Sequence, residues 1–160
     1  MAKPAIVLEV SARFAAPQRD PRSTIMATKI FVNLPVKNLD KSMAFFGKLG
    51  FTFNKQFTDE TAACMVISDD IYTMLLTEKK FKEFTKKAIA DATKTTEVLT
   101  CLSMDSREQV NRMVDAAVKA GAIEARAPVD HGFMFQRSFD DLDGHIWEII
   151  HMDPSGVKQQ

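Results

Sequence analysis

Glu148 is the side chain whose sequence neighbours point most directly to chemistry. It stands alone as an acid in the run GHIWEII, residues 144–150, where apolar residues surround it. If this run is a strand, Ile146, Glu148 and Ile150 share one face. A carboxylate between two isoleucines is desolvated, which favours a general base or a ligand anchor. The residues leave a second reading open, in which Glu148 belongs to a buried ion pair that fixes the fold.

Arg137 is the cation that we expect to pair with Glu148. Residues 141–144, Asp-Leu-Asp-Gly, are typical of a four-residue turn between two strands. With a loop of that length, Arg137 and Glu148 lie directly opposite each other on neighbouring strands. The sequence therefore predicts an Arg137–Glu148 pair, with Arg137 also available to a ligand.

The three histidines are weaker candidates. His145 and His151 flank Glu148 at three-residue spacing, but on a strand both point to the face opposite Glu148, which argues against joint metal ligation. His145 follows a turn, where a polar side chain bonds locally, so we expect a structural role. His131, in the loop VDHGF, is the second candidate catalytic residue because loops above a pocket often carry contacts to the ligand.

Several apolar and weakly polar residues fall on the same predicted strand faces as Glu148. A pocket lined by such residues with a few polar groups is the usual anatomy of a small-molecule site, although each residue alone could belong to the core. The predicted pocket wall consists of Phe31, Asn33, Tyr72, Met74, Leu99 and Cys101.

The elements that must position these residues form a repeat. A strand over 29–36, a helix over 39–49 closed by Gly50, and strands over 51–57, 62–68 and 71–77 give β-α-β-β-β. After a lysine-rich linker over 78–95, the order recurs: a strand over 97–104, a helix capped by Asp105 or Ser106 and ended by Gly121, then strands over 122–127, 133–140 and 145–152. The sequence thus predicts an α+β protein of two tandem units over 28–77 and 96–152.

The chain outside these units carries different signals. Residues 17–24, PQRDPRST, are polar and proline-rich, so residues 1–25 are expected to be a flexible extension of a domain that spans 26–153. Residues 154–160 are expected to be a tail. The short apolar run at 5–10 is interrupted by Glu9 and is a poor secretion signal.

Composition excludes several classes of protein. Lys+Arg and Asp+Glu number 21 each in 160 residues, so no net charge favours nucleic acid or an anionic membrane surface. Two cysteines far apart form no disulfide framework or CxxC site, which favours a reducing, cytoplasmic environment. No apolar stretch approaches the roughly 20 residues that span a bilayer.

Two motifs carry a resemblance to a known family. NLPVKNLDKSMAFFGKLGF, residues 33–51, resembles the opening strand and helix of vicinal-oxygen-chelate proteins, the glyoxalase, bleomycin-resistance and extradiol-dioxygenase superfamily. FDDLDGHIWEI, residues 139–149, resembles their closing hairpin. The resemblance covers residues 28 to about 152 and extends to the branch of predicted lactoylglutathione lyases. It implies two curved sheets around a cup-shaped cavity.

The family's cup holds a divalent metal, and the resemblance implies where its ligands would lie. The four positions fall on Phe31, Met74, Leu99 and Glu148, of which only Glu148 suits a hard metal ion. A slip of two residues would bring in Asn33 and Cys101, which still make a poor set. Because a catalytic site needs about three protein ligands, we expect no bound metal and no cofactor.

The leading hypothesis is a glyoxalase-like protein that binds a small organic molecule in the cup, either as a metal-independent isomerase or lyase with Glu148 as base or without chemistry. The alternative is a sequestering protein similar to drug-binding resistance proteins. A metal-dependent lactoylglutathione lyase or dioxygenase comes third. Because open curved sheets leave edges to cover, we also expect a homodimer.

Overall fold

The computed structural model of the protein describes residues 28–156. The extension predicted over 1–25 lies outside these residues, as does residue 157 onward of the predicted tail. Within the described part of the chain, no helix has the length and hydropathy needed to cross a membrane.

The two predicted βαβββ units are confirmed. Each unit forms a four-stranded mixed sheet in which the first strand runs parallel to the fourth, giving strand orders β1-β4-β3-β2 and β5-β8-β7-β6. The elements of the first unit are β1 (Ile30–Val36), α1 (Leu39–Lys48), β2 (Thr52–Asn54), β3 (Ala62–Val66) and β4 (Ile71–Thr77). A short helix, α2 (Glu78–Phe81), opens the linker, and the second unit comprises β5 (Leu99–Ser103), α3 (Arg107–Ala120), β6 (Val129–Asp130), β7 (Met134–Asp140) and β8 (Ile146–Met152).

The strand predicted over 122–127 is wrong. Only an isolated bridge between Ile123 and Asp140 forms there, and the edge strand is the two-residue β6 instead. Pro128 has no backbone N–H to donate and restricts the residue before it, so regular pairing begins only at Val129.

The two long helices, α1 and α3, begin and end at residues that the sequence predicts as helix caps. The Asn38 side chain accepts a hydrogen bond from the Lys41 N–H at 2.9 Å, and the Ser106 hydroxyl accepts one from the Gln109 N–H at 3.3 Å. Gly121 ends α3 with a φ of 114°, a left-handed conformation that glycine adopts without steric cost. The caps therefore fix where α1 and α3 begin and where α3 ends, and with that which of their residues face the sheets.

One hydrophobic core joins the two units. The Phe46 ring of α1 packs against Trp147 of β8 with centroids 5.2 Å apart, and Phe45 packs against Phe139 of β7 at 6.1 Å. These rings lie among buried residues from α3 and from the helix-facing sides of both sheets: Val110 and Val114 of α3, and Leu34, Val36, Ala63, Met65, Leu75 and Ile149 of the strands. The helices thus form a layer between the sheets, and each sheet turns its other, concave face away from that layer.

The loop between β7 and β8, residues 141–145, fastens the second unit to the first. The Asp143 carboxylate accepts hydrogen bonds from the Lys37 backbone N–H at 2.8 Å and from the Ser42 hydroxyl at 3.0 Å. The His145 ring nitrogen Nε2 lies 2.8 Å from the Pro35 carbonyl oxygen. Three polar contacts therefore connect this loop to the end of β1 and the start of α1.

We expect Asp143→Ala to destabilise the protein by about 1–3 kcal/mol, because it leaves the Lys37 N–H and the buried Ser42 hydroxyl without their acceptor. Urea unfolding of Asp143→Ala and of Glu60→Ala, an exposed carboxylate in a loop, compares the two changes. Equal midpoints for the two variants would contradict a structural role for the Asp143 contacts.

Candidate functional site

The hairpin that carries Glu148 has a loop of five residues, not the predicted four. Asp140 pairs with Ile146, so Ser138 lies opposite Glu148 and Arg137 lies opposite Ile149. The predicted register is therefore wrong by one residue, and a one-residue slip moves every side chain of a strand to the other face. Arg137 faces the helices, whereas Glu148 lies on the concave face.

Arg137 consequently binds a different set of acids, which corrects both its predicted pairing and its predicted contact with a ligand. Its guanidinium donates to Glu124 through Nε and Nη2 at 2.8 and 2.7 Å, and to Asp115 of α3 at 2.8 Å. Hydrogen bonds to Glu124 are the main cause that raises the pKa of Arg137. With its side chain 11 % exposed, Arg137 ties β7 to α3.

The five-residue loop is determined by the buried carboxylate of Asp141. One of its oxygens accepts from the backbone N–H groups of Asp143 and His145, each at 3.0 Å, and the other accepts from the Trp147 indole N–H at 3.0 Å. Burial raises the pKa of Asp141, while His145 and these donors oppose that shift. The side chain thus closes the loop around itself.

Glu148 has two polar partners that the sequence did not reveal. Its Oε1 accepts from the Gln136 amide at 2.7 Å and from the Arg126 guanidinium at 2.9 Å. Glu148 is 17 % exposed and Arg126 is 57 % exposed, so the arginine covers the carboxylate from the solvent side. Among the described residues, no donor reaches Oε2. Gln136 could have been found from the correct register, in which it is a diagonal neighbour of Glu148; Arg126, in an irregular segment, gives no such signal.

The rest of the second concave face combines apolar side chains with small polar ones. The parallel pairing of β5 with β8 sets Leu99 beside Ile146, Cys101 beside Glu148 and Ser103 beside Ile150. The structure therefore brings Leu99 and Cys101 to the face of Glu148, where the strand parity put them. Desolvation, and secondarily the charge of Glu148, raises the pKa of Cys101, which keeps its thiol protonated near neutral pH.

The first concave face carries an aromatic pair. The Phe31 and Tyr72 rings stack with centroids 4.8 Å apart, and Phe31 is 49 % exposed. Asn33 lies beside Met74 in the same parallel pairing. The predicted residues Phe31, Asn33, Tyr72 and Met74 thus share one face, but it belongs to a different sheet from Leu99, Cys101 and Glu148.

The histidines take three separate positions. His145 bonds the Pro35 carbonyl, and the His151 ring nitrogen Nδ1 lies 3.0 Å from the Met104 carbonyl oxygen, so both have structural contacts. His131 lies in the turn between β6 and β7, where its backbone N–H donates to Met134 and its ring lies 6.3 Å from that of Phe133. None of the contacts described for His131 reaches Glu148.

The donor set at the centre of the concave faces does not fit a divalent metal. The strand pairing corrects the ligand positions by two residues, because Asn33 and Cys101, rather than Phe31 and Leu99, lie beside Met74 and Glu148. An amide, a thioether, a protonated thiol and a carboxylate already bonded to Arg126 make a poor site for a hard ion. Within residues 28–156, no group of three or more His, Cys, Asp or Glu side chains could hold a metal.

Double-mutant cycles distinguish the observed pairs from the Arg137–Glu148 pair. We expect Arg137→Ala and Glu124→Gln to couple by about 0.5–3 kcal/mol, because each removes the other's partner. Arg137→Ala and Glu148→Gln should add without coupling, since the two side chains lie on opposite faces of the sheet. Thermal or urea unfolding of the six proteins in the two cycles, including the wild type, gives both energies. Coupling only in the second cycle would contradict the five-residue loop.

Comparison with known proteins agrees with this architecture. Residues 28–68 match the family described as Bleomycin resistance protein-like N-terminal. No curated protein sequence matches the chain.

Three solved structures illustrate the likeness in fold. The hypothetical protein SA1046 from S. aureus has 25 % identity and a TM-score of 0.67 over 79 % of this chain and 94 % of its own. A glyoxalase/bleomycin resistance protein/dioxygenase family enzyme from Burkholderia phytofirmans PsJN has 16 % identity and a TM-score of 0.65, over 79 % and 99 %. A bleomycin resistance determinant encoded on the transposon Tn5 has 18 % identity and a TM-score of 0.57, over 79 % and 98 %. The chain therefore has the vicinal-oxygen-chelate fold, and residues 28–68 of its first unit resemble the N-terminal part of bleomycin-resistance-like proteins.

Proposed function

We propose that the protein binds a small organic molecule on its concave faces and sequesters it without a catalytic metal. The observation that carries this proposal is the cluster of Glu148, Gln136 and Arg126 on a face that also presents the apolar side chains of Leu99, Ile146 and Ile150. Such a face supplies area for an apolar ligand and a few fixed polar groups for orientation, as small-molecule sites usually do. The likeness in fold to a bleomycin resistance determinant supports a binding function.

The polar cluster also defines what the ligand should carry. Oε1 of Glu148 is engaged by Arg126 and Gln136, so Oε2 is the acceptor left for a ligand. A ligand N–H or O–H that reaches Oε2 forms a charge-assisted hydrogen bond, which is stronger than a neutral one. We therefore infer an aromatic or aliphatic molecule with at least one hydrogen-bond donor.

A second candidate function is proton transfer with Glu148 as the general base, as in a glyoxalase-like isomerase or lyase. The free Oε2 favours it, because a base must reach the proton that it abstracts. The ion pair with Arg126 and the protonated thiol of Cys101 count against it, since neither supplies a second acid–base group. A metal-dependent lactoylglutathione lyase or dioxygenase has the least support, because the donor set does not fit the ion. His131 stays a weaker candidate without a contact to this cluster.

Ligand binding is tested by thermal unfolding in the presence of bleomycin and a panel of small aromatic amides and amines. A ligand at about 100 times its Kd stabilises the folded protein by about 2.7 kcal/mol, which raises the melting temperature by several degrees. We expect that rise in the wild type and in the surface control Glu60→Ala, and its loss in Glu148→Ala.

Turnover separates the two candidate functions. The hemithioacetal of methylglyoxal and glutathione is the probe, assayed with and without EDTA for wild type and Glu148→Gln. Binding without turnover supports sequestration, whereas EDTA-resistant turnover lost in Glu148→Gln supports the base. A ligand that stabilises wild type and Glu148→Ala equally would place binding elsewhere and contradict both candidates.

We further propose that the protein acts as a homodimer. In it, the concave face of the first unit in one copy lies opposite the concave face of the second unit in the other copy. Within one chain the helical layer separates the two concave faces, so a cup with both walls needs a second copy. Large apolar residues are exposed on the outer strands of these faces, including Phe31 and Leu99 at 49 % and 47 %. Burying such side chains is the main favourable term in association.

We expect Phe31→Lys and Leu99→Lys each to weaken the dimer, because a charge would be buried at the interface. Phe84→Lys, at a 71 % exposed position in the linker, is the matched control and should leave the mass unchanged. Analytical ultracentrifugation over a range of concentrations measures the change. A wild-type mass near 17.9 kDa at micromolar concentration would contradict the dimer.

A further inference from the structure

The linker after α2 forms an arch over a cavity of about 350 Å³ that is separate from the cluster around Glu148. The inner wall consists of residues 33–35 of β1, residues 144 and 145 of the β7–β8 loop and Ile146 of β8, and the outer wall is the linker itself. Neither Glu148 nor its partners line it. The cavity thus lies where the two units meet.

The arch is held at both of its ends. At the first end, α2 contacts both β1 and β4. At the second, the Asp91 carboxylate accepts from the Thr93 N–H and hydroxyl at 3.2 and 2.6 Å, which folds the chain into a compact turn. That turn lies directly against Gly144, where an added Cβ would come within 2.8 Å of the Thr93 nitrogen. Because backbone meets backbone there, the cavity has a defined width.

The chemistry of the lining favours a neutral, apolar occupant. Most of the side chains that line it are apolar: Leu34, Pro35, Phe81, Ala88, Ile89, Ala90, Ala92, Val98 and Ile146. The charged lining residues Lys87 and Glu97 are exposed, as are Ala88, Ala90 and Val98, so the cavity is open to solvent along the linker. A charged ligand would lose its hydration with no buried partner, whereas Asn33 and the threonines of the wall can satisfy one or two neutral polar groups.

A neighbouring cavity has a more highly charged lining. It shares Pro35, Ile89, Ala90, Ala92 and His145 with the first cavity, and its remaining lining residues are the charged Lys37, Glu78, Asp91 and Asp143. The charged part of this lining suits an apolar molecule less well than the first cavity does. An apolar cavity of about 150 Å³ accommodates one benzene molecule, so a space of about 350 Å³ has room for two fused rings.

We propose that the cavity beneath the linker is a second binding site, which takes a neutral, mainly apolar molecule of the size of a substituted naphthalene. This site does not depend on the polar cluster around Glu148, although Asn33 and Ile146 of the concave faces also line the cavity. Its ligand would contact both units and the linker at once, and it would stabilise the arrangement of the two units.

Prodan, a neutral naphthalene ketone whose emission shifts to the blue in apolar surroundings, is the probe. We expect saturable binding of one molecule per chain. Ala88→Trp and Ala90→Trp, made separately, should each weaken it about tenfold or more, because an indole would occupy the volume of the ligand. Lys86→Trp, in the same linker but outside the lining, is the matched control, and Phe84→Ala tests for adsorption to exposed aromatic surface.

Glu148→Gln separates this site from the concave faces and should leave the affinity for Prodan unchanged. Chemical-shift mapping on the wild-type protein serves as the second measurement, with perturbations expected at the linker residues Ala88, Ile89 and Val98. Loss of Prodan binding in Glu148→Gln or Phe84→Ala would overturn the proposal, as would shifts centred on Cys101 and Glu148. Retained affinity in both Ala88→Trp and Ala90→Trp would overturn it as well.

Discussion

Two carboxylates of one loop control the geometry on which the rest of the structure depends. Asp141 accepts two backbone N–H groups of its own loop and the indole N–H of Trp147, so the loop closes at five residues. Asp143 accepts from Lys37 and Ser42 of the other unit. The first contact sets the register of β7 against β8, and the second sets the position of one unit against the other. A buried carboxylate is costly unless it is fully bonded, which explains why both are so completely engaged.

The register of that hairpin decides which side chains can cooperate. With five residues in the loop, Gln136 shares the face of Glu148, and Arg137 is turned toward α3, where Glu124 neutralises it. Arg137 and Arg126 of the second unit thus have different roles. Arg137 is largely buried and ties the sheet to the helix, while Arg126 is exposed and lies above the carboxylate. Only the second can exchange its partner for a ligand without disturbing the core.

Local signals and long-range geometry differ in how far the sequence predicts them. Asn38, Ser106 and Gly121 mark the helix ends, and the alternation of apolar residues assigns Glu148, Cys101 and Leu99 to one face, because these are properties of neighbouring residues. The length of the hairpin loop could not be obtained in the same way. It depends on Asp141 reaching Trp147 six residues along the chain, and its one-residue difference was enough to misplace Arg137. Arg126 was missed because its segment is irregular and only its side chain reaches Glu148.

The two concave faces carry different side chains although the two sheets have the same strand order. At the centre of the first lie Asn33 and Met74 beside a stacked aromatic pair, and at the centre of the second lie Cys101 and Glu148 beneath Arg126. One face offers polarisable apolar surface, and the other offers a charged hydrogen-bonding group. A ligand held by either face alone would use only half of this chemistry. The division has a physical rationale if the faces meet across two copies, since aromatic stacking and a fixed carboxylate would then act on the same molecule, and neither needs a metal to orient it.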